Sequence, residues 1–240
     1  MSQQIASIER ATLAAVPPEQ LEEIPGWLMG LDKGTVGRAH SAVPLSHGMP
    51  RPGISGLIEH TYAMHGLQAV FRVPRTDAFD DFRKDLQEGG YVSSKPTLTQ
   101  IGDVLDMAAL VPARPGEVEV SSTPGDDWGT LLLGEGFDPV DGASRLEILR
   151  RAKDSVFVSV YRDGKIAAVG SACFAGGWAG VNGMRTAPAW RGKGLASRII
   201  AELAYEARQR RIARSAMESK FWGAYYVARG AKWAHSLLSL

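Results

Sequence analysis

Apolar residues in the second half of the chain follow the alternation of β-strands. The stretches SVFVSVY (155–161), IAAVGSACF (166–174) and AGVNGMRT (179–186) carry them at every second position or in short unbroken runs, as in strands that bury one face or both. Asp163-Gly164, between the first two stretches, is a strong hairpin signal. The pattern therefore predicts three consecutive antiparallel strands.

The apolar spacing changes to a helical one after Gly194. Apolar residues from here fall on one helical stripe, opposite a stripe of charged residues. The apolar members are Leu195, Ile199, Ile200, Leu203 and Ala207, and the charged ones are Arg198, Glu202, Glu206 and Arg210. We expect this amphipathic helix to be followed by a strand in IARSAMES (212–219), a helix around FWGAYYVARG (221–230) and a last strand in AKWAHSLLSL (231–240).

Apolar and polar residues alternate less regularly in the first half of the chain. Its pattern predicts strands around a turn at Asp32-Lys33-Gly34, a strand in LQAVFRVP (67–74) and extended chain in YVSSKPTLTQIGDV (91–104). Helices are expected over residues 5–15, 56–65 and 78–90. Two prolines and a glycine in LVPARPG (110–116) oppose both helix and central strand. We therefore expect two domains, residues 1–112 and residues 117–240, in an α/β (α+β) fold whose mixed, largely antiparallel twisted sheet is flanked by helices.

Composition and charge exclude several classes of function. The chain has 240 residues, 45% of them hydrophobic. Its net charge of +1 gives it no excess of positive charge with which to bind nucleic acid or an anionic membrane. No segment approaches the roughly 20 apolar residues that span a bilayer. The single cysteine, Cys173, and a first segment without the pattern of a secretion signal favour the cytoplasm. The five histidines lack metal-ligand spacing, so we expect no metal.

The stretch TAPAWRGKGLASRII (186–200) joins a predicted strand to the predicted amphipathic helix. Backbone N–H groups at the N-terminus of a helix favour anions, and Gly192 and Gly194 would let them approach a phosphate closely. Arg191 and Lys193 add positive charge. A P-loop is not indicated, because Gly194 follows Lys193 where a P-loop has Ser or Thr. A dinucleotide-binding fold is not indicated either, because the predicted sheet is antiparallel.

Two motifs in this region match a known family. Arg191, Gly194 and Ala196 fit its acyl-CoA-binding signature, Arg/Gln-x-x-Gly-x-Gly/Ala. The preceding VNGMRTAPAW (181–190) resembles the strand that leads into that signature, with Thr186 where an aliphatic residue is usual. With the order of elements over residues 117–240, these motifs resemble the GNAT acetyltransferase superfamily. The resemblance implies acetyl-CoA as cosubstrate. It places the pantetheine arm on the backbone of Met184, Arg185 and Thr186, and the pyrophosphate on the loop Arg191, Gly192, Lys193, Gly194, Leu195 and Ala196.

The same resemblance implies the residues that move protons. Family members carry a tyrosine in a Tyr-x-x-x-Gly segment, and Tyr226 with Gly230 has that spacing. Tyr226 is thus expected to protonate the departing thiolate as general acid, whereas its neighbour Tyr225 would point elsewhere. Glu218 is the carboxylate expected to remove a proton from the amine. Ser219, where asparagine is frequent, departs from the family pattern.

The first half resembles a degenerate GNAT domain of the tandem bacterial type. Tyr62 and Gly66 repeat the spacing of Tyr226 and Gly230, but no Arg-x-x-Gly-x-Gly loop accompanies them. This half is therefore expected to cover the sheet and wall an acceptor cleft. Trp27, Arg38 and Tyr62 are its candidate acceptor contacts.

The function implied is N-acetylation of a primary amine, either a small molecule or a peptide or protein amine, in a ternary complex and without nucleic acid or membrane partners. A monomer or a homodimer fits this reading. A non-catalytic acyl-CoA-binding regulatory module stays open as an alternative. Nucleic-acid binding through RQRRIAR (208–214) is disfavoured by the neutral net charge.

Overall fold

The described part of the chain forms two sheets with helices packed on them. The structure is a computed structural model that describes residues 2–93, 97–110, 117–135, 137–219 and 236–239. The described helices are α1 (Ser2–Ala15), α2 (Ile54–Met64), α3 (Asp80–Glu88), α4 (Val104–Ala108), α5 (Asp126–Leu133), α6 (Pro139–Arg151) and α7 (Leu195–Gln209).

Ten described strands make up a three-stranded and a seven-stranded sheet. The small sheet contains β1 (Gln20–Ile24), β2 (Trp27–Leu31) and β3 (Ala42–Pro44) in that order. The large sheet contains, from edge to edge, β10 (Ser236–Ser239), β4 (Thr97–Asp103), β9 (Arg214–Ser219), β8 (Trp178–Thr186), β7 (Lys165–Ala175), β6 (Ser155–Arg162) and β5 (Glu117–Ser121).

The large sheet is mixed and largely antiparallel, as predicted. Strands β6, β7 and β8 follow one another as antiparallel neighbours, and only the pairing of β8 with β9 is parallel among the described pairs. Asp163 and Gly164 have φ of 51° and 71° in the turn between β6 and β7, the backbone that an Asp-Gly hairpin turn requires. The three-strand prediction is confirmed.

Helix α7 covers one face of the large sheet with its apolar stripe. The five apolar residues of the predicted stripe are all buried. They pack with residues of β6, β7 and β8, such as Val158 and Val181, and with Val104 and Met107 of α4. Burial of this stripe is the main force that holds α7 on the sheet.

A separate aromatic core joins the small sheet to α2 and α3. Trp27, Phe71, Phe79 and Phe82 stack edge to face or tilted within it, with ring centroids 5.5 to 6.3 Å apart. Residues 67–74 form no continuous strand. An isolated parallel bridge joins Phe71 to Ala42, whose N–H donates to the carbonyl of Val70 and whose carbonyl accepts from the N–H of Arg72, both at 2.8 Å. The prediction of a strand there is wrong, because the backbone pairs at isolated bridges instead of a continuous ladder, while Phe71 and Val73 pack into the aromatic core.

The strands predicted around Asp32-Lys33-Gly34 are β2 and β3, which pair antiparallel, and a further hairpin turn lies before them. Ile24 pairs with Trp27, so that Pro25 and Gly26, with φ of 86° at Gly26, make the turn between β1 and β2. Asp32-Lys33-Gly34 begins the connection between β2 and β3, and the Oδ1 of Asp32 accepts a hydrogen bond from the N–H of Gly34 at 2.7 Å.

The first 110 residues contribute directly to the large sheet. β4 pairs with β9 on one side and β10 on the other. α1 packs on β7 and β8, and the indole N–H of Trp178 donates to the hydroxyl of Ser7 at 3.0 Å. The division into residues 1–112 and 117–240 stays a prediction; the sheet itself draws strands from both sides of it.

The helix predicted around FWGAYYVARG (221–230) lies outside the described residues. Of the helices that the structure does describe, none has both the length and the apolar composition needed to cross a bilayer.

Candidate functional site

Strands β8 and β9 separate from each other in the middle of the large sheet. Their described parallel pairs run from Trp178 with Arg214 to Val181 with Met217, although β8 continues to Thr186 and β9 to Ser219. On its other side β8 stays paired with β7, as far as Thr186 with Ala168. The last five residues of β8 therefore have one edge in the sheet and one edge facing the gap toward β9.

A β-bulge marks the point of separation. Two residues of β8, Gly183 and Met184, face one residue of β7, Gly170, between the pairs on either side. Gly183 has φ of 57°, and a Cβ there would lie 2.9 Å from the ring of Trp128 in α5. Glycine is thus required by both backbone and space. A bulge bends and twists its strand, which is how β8 turns away from β9.

Arg185 ties this part of β8 to helix α5. Its guanidinium donates hydrogen bonds to the carbonyls of Leu132 and Leu133, at 2.8 and 2.7 Å, in the last turn of α5. These carbonyls have no partner within a helix that ends here. The predicted pantetheine segment, residues 184–186, is consequently held rigidly at the gap.

The glycine loop follows β8 and leads into α7. Gly192 and Gly194 have φ of 73° and 80°, and Gly194 is the N-cap residue of α7. Among the described residues no side chain caps this helix, and its first turn has no acidic residue. The N–H groups of the first turn are thus suited to an anion or water. The assignment of residues 191–196 to the pyrophosphate stays a prediction.

The two cations of the loop lie against it. The Nε–H of Arg191 donates to the carbonyl of Thr186 at 3.3 Å, which folds the loop back on the end of β8. The ammonium of Lys193 lies 4.3 Å from the centre of the Trp190 ring, a cation–π contact. Both charges therefore stay near the N-terminus of α7.

A cleft opens on the opposite face of the sheet, at the same point of separation. Side chains of α1, β4, β8 and β9 surround it together with Arg38 from the connection between β2 and β3. Its lining residues are Ala11, Thr12, Ala15, Arg38, Thr99, Gly180, Val181, Asn182 and Ala216. Four of the nine come from the first 40 residues, so the first part of the chain walls this cleft.

Arg38 is the predicted acceptor residue that reaches the cleft. Its Nη1 donates to the Oδ1 of Asn182 at 3.3 Å. The amide nitrogen of Asn182 donates in turn to the carbonyl of Gly180 at 2.7 Å, which turns the amide oxygen toward Arg38.

Trp27 and Tyr62, the other two predicted acceptor contacts, are core residues instead. Trp27 is 3% exposed and Tyr62 is fully buried, both in the aromatic core of the small sheet. The Tyr62 hydroxyl donates to the carbonyl of Gly30 at 2.9 Å, and burial raises its pKa above the ordinary value. Neither side chain has a surface that an acceptor could touch, because the core needed large aromatic residues at these positions.

Of the two predicted proton-transfer residues, the structure describes the backbone of Glu218 but not Tyr226. Tyr226 lies outside the described residues. The backbone of Glu218 pairs with that of Thr99, a cleft residue, one position beyond the last β8–β9 pair. The assigned roles of both residues stay predictions.

Comparison with known proteins fits this geometry. Residues 2–228 match the model of a family described as "Probable histone acetyltransferase Rv0428c C-terminal". The chain belongs to this acetyltransferase family. Among curated protein sequences, none matches the chain.

Solved structures show the GNAT fold over the whole chain. A GCN5-related N-acetyltransferase from Kribbella flavida has a TM-score of 0.69 at 17% identity, with 98% of this chain and 93% of that chain covered. A functionally unknown conserved protein from Staphylococcus epidermidis reaches 0.71 at 11%, covering 97% and 96%. A tandem GNAT protein from the clavulanic acid biosynthesis pathway gives 0.55 at 14%, covering 99% and 95%. The fold prediction, including its resemblance to tandem proteins, is confirmed.

Several cleft residues escaped the sequence analysis. Thr12, Thr99 and Asn182 lie on three different elements, and their spacing along the chain carries no local pattern. Asn182 had one available signal, since it is a polar residue within the otherwise apolar run AGVNGM (179–184).

Proposed function

We propose that the protein transfers the acetyl group of acetyl-CoA to an amine acceptor, as a GNAT N-acetyltransferase. The observation that carries the proposal is the separation of β8 from β9 after Val181 and Met217, next to a glycine loop and a helix N-terminus that no described side chain caps. These features supply two things that an acyl-CoA needs, a strand edge for its amide-bearing arm and N–H donors for its phosphates.

The arm would lie along the free edge of β8. The backbone of Met184 to Thr186 faces the gap, and its N–H and C=O groups can pair with the two amides of pantetheine as a neighbouring strand would. The Arg185 side chain is engaged with α5. Its contribution is therefore to hold the backbone in place.

The pyrophosphate would lie on residues 191–196. The macrodipole of the 15-residue helix α7 and its first N–H groups favour an anion. A Cβ at Gly192 would meet nothing within 4 Å, so this side of the loop is open to a ligand. Arg191 and Lys193 add two positive charges.

Acetyl-CoA supplies the thioester whose C–S bond is broken as the new C–N bond forms. An alkylamine with a pKa near 10.4 is almost wholly protonated at neutral pH, so a base must take a proton before attack. Glu218, one position beyond the last β8–β9 pair, is the proposed base. Tyr226 is proposed to give its hydroxyl proton to the departing thiolate. The second proton, which the nitrogen loses after the C–N bond forms, passes to solvent, and solvent restores the tyrosine hydroxyl.

The amine would enter from the cleft side, where the first part of the chain meets the separated strands. The arm on β8 and the cleft lined by Gly180 to Asn182 meet at this point. A ternary complex follows from this arrangement, because the two substrates reach one point from different sides.

Calorimetric titration with acetyl-CoA tests the proposal, with a matched pair of glycine variants. Gly192 and Gly164 both have φ above 70°, and a Cβ at either would meet nothing within 4 Å. Gly192→Asp and Gly164→Asp therefore carry the same backbone cost and the same charge. Only Gly192→Asp puts a carboxylate beside the proposed pyrophosphate, so it alone should weaken binding.

The expected result is binding by the wild type and by Gly164→Asp, with an increase in Kd of about tenfold or more for Gly192→Asp. Release of the CoA thiol with a panel of amines then tests transfer. A folded wild-type protein that does not bind acetyl-CoA would contradict the proposed function. Binding without transfer to any amine would favour the non-catalytic module.

A further inference from the structure

We infer that Gly134, at the end of α5, is a positioning residue for the pantetheine arm of acetyl-CoA and that it acts through the side chain of Arg185. The inference rests on the proposed function and goes beyond it, because it makes affinity for one half of the cosubstrate depend on a residue outside both β8 and the glycine loop. Its starting point is the room that Gly134 leaves for the guanidinium of Arg185.

Gly134 lies directly against the guanidinium group. A Cβ at this position would be 2.3 Å from Nη2 and 2.6 Å from Cζ of Arg185, and the three atoms nearest to it all belong to Arg185. The backbone also favours glycine, since its φ is 67°. The guanidinium is the far end of a flexible side chain, so it gives way more readily than the backbone of α5. An alanine at position 134 therefore acts first on Arg185.

A displaced guanidinium loses its hold on α5. The two hydrogen bonds from Nη1 of Arg185 to the carbonyls of Leu132 and Leu133, at 2.8 and 2.7 Å, need the group where it is. The N–H of Gly134 donates to the carbonyl of Thr130, which ends the helix at this point. The positive charge of the guanidinium also suits the C-terminal end of a helix. Gly134 and Arg185 thus form one structural unit.

The other face of the sheet has a matching anchor. Met184 precedes Arg185 in β8, so its side chain points to the opposite face, where it packs on the core under α7. A Cβ at Gly170 of β7 would lie 2.3 Å from the sulfur of Met184 and 2.6 Å from the Cγ2 of Ile199. A glycine therefore makes room for each of two consecutive side chains, and these hold the free edge of β8 from both faces.

The free edge depends on these anchors because it has no neighbouring strand on the gap side. The described pairs between β8 and β9 end before residues 184–186, so side chains hold the backbone that the pantetheine arm would use. A backbone that is ordered in advance lowers the entropic cost of binding. The nucleotide half of the cosubstrate would lie on residues 191–196 instead. Loss of the Gly134–Arg185 contact should therefore weaken the arm and spare the nucleotide.

The test measures two ligands that differ by the arm. Calorimetry gives the Kd of acetyl-CoA and of adenosine 3′-phosphate 5′-diphosphate, which is the nucleotide half alone. The proteins are the wild type, Gly134→Ala, Arg185→Met, the double variant of these two, and the control Gly66→Ala. Gly66 follows α2 with φ of 68°, and a Cβ there would meet nothing within 4 Å. The control has the backbone cost of Gly134→Ala without its contact.

We expect Gly134→Ala and Arg185→Met each to raise the Kd of acetyl-CoA by about tenfold and to leave that of the nucleotide half within about twofold. The double variant should bind acetyl-CoA as Arg185→Met does, because no guanidinium is left to displace. Gly66→Ala should bind both ligands as the wild type does. Should Arg185→Met fail to fold, Arg185→Lys, which keeps one charged donor, should show a smaller loss that is again confined to acetyl-CoA.

Four results would overturn the inference and leave the proposed function standing. Gly134→Ala could bind acetyl-CoA as the wild type does, or it could lose affinity for both ligands equally. It could also cause the same loss in the Arg185→Met background as in the wild type, which would show that it does not act through Arg185. The last is an equal loss in Gly66→Ala. Absence of acetyl-CoA binding by the folded wild type would instead contradict the proposed function.

Discussion

The carboxylate of Asp32 accepts a hydrogen bond from the guanidinium of Arg151, with 2.8 Å between Oδ2 and Nη2. The Asp32 side chain is 2% exposed and that of Arg151 is 31% exposed. Asp32 also accepts from the N–H groups of Gly34 and Glu19, at 2.7 and 3.0 Å. This ion pair joins the end of β2 to the end of α6, and it holds the base of the connection that carries Arg38.

Removal of Arg151 should destabilise the protein because it leaves the buried charge of Asp32 without its cation. For Arg151→Met we expect the free energy of unfolding to fall by about 1–3 kcal/mol, below the loss for a fully buried pair because Arg151 is partly exposed. Urea denaturation measures the loss. Arg10→Met is the control, since its 2.7 Å pair with Glu23 is 46% and 50% exposed, and it should cost less than about 1 kcal/mol. Equal losses for the two variants would show that burial does not strengthen the Asp32–Arg151 pair.

Gly30 is needed where β2 passes close to the connection between β2 and β3. A Cβ at Gly30 would lie 2.2 Å from the carbonyl oxygen of Ala39, a backbone atom that cannot rotate away. Gly30→Ala should therefore lower the free energy of unfolding by about 1–3 kcal/mol or more, and it should displace the backbone next to Arg38.

Gly37→Ala is the matched control for Gly30→Ala. A Cβ at Gly37 would meet nothing within 4 Å, and its φ is not positive, so the change should be neutral or stabilising by up to about 1 kcal/mol. Chemical denaturation of both variants gives the comparison. If Gly30→Ala is as stable as Gly37→Ala, the backbone at Gly30 and the backbone at Ala39 can move apart without a loss of stability.

The strands of the second half were predictable because their signals are local. Alternation in residues 155–186 fixes which side chains face the core, and Asp163-Gly164 fixes the turn. The glycine loop before α7 is local in the same sense, because Gly192 and Gly194 mark positions of positive φ.

The wall of the cleft could not be predicted, because it depends on contacts between distant segments. Arg38 reaches Asn182 across 144 positions, and Asp32 reaches Arg151 across 119. Trp27 and Tyr62 were predicted as acceptor contacts from their position in the first half, but their burial is decided by the aromatic core. Local patterns identify turns and faces, and tertiary packing decides which residues end up at a site.

Cys173 should make stability depend on pH above neutrality. Its thiol lies 3.4 Å from the carbonyl of Lys153, and burial raises its pKa. The unfolded thiol loses its proton near pH 8.5, whereas the folded one keeps its proton to a higher pH. The stabilising contribution is thus complete below the unfolded pKa and is lost as pH rises through the folded pKa.

Comparison of wild type with Cys173→Ala isolates that contribution, because tyrosines and lysines titrate alike in both. From pH 7 to 10 the wild type should lose more free energy of unfolding than the variant, as measured by denaturation at each pH. The cavity left by the substitution lowers stability by a constant amount and does not change the slope. Parallel curves would mean that the thiol titrates alike in the folded and unfolded chains.

Tyr226 offers the most direct test of the proposed proton transfer, and Tyr225 is its neighbouring control. A phenolic hydroxyl with a pKa near 10 stays protonated at neutral pH and can still protonate a thiolate. Tyr226→Phe should lower kcat by about 10²-fold or more and leave the Kd for acetyl-CoA within about twofold, because the phosphate loop is intact. Tyr225→Phe should leave kcat nearly unchanged, since adjacent helical residues point in different directions. Equal losses in both variants would assign the tyrosines to packing, and a reversed order would move the general acid to Tyr225.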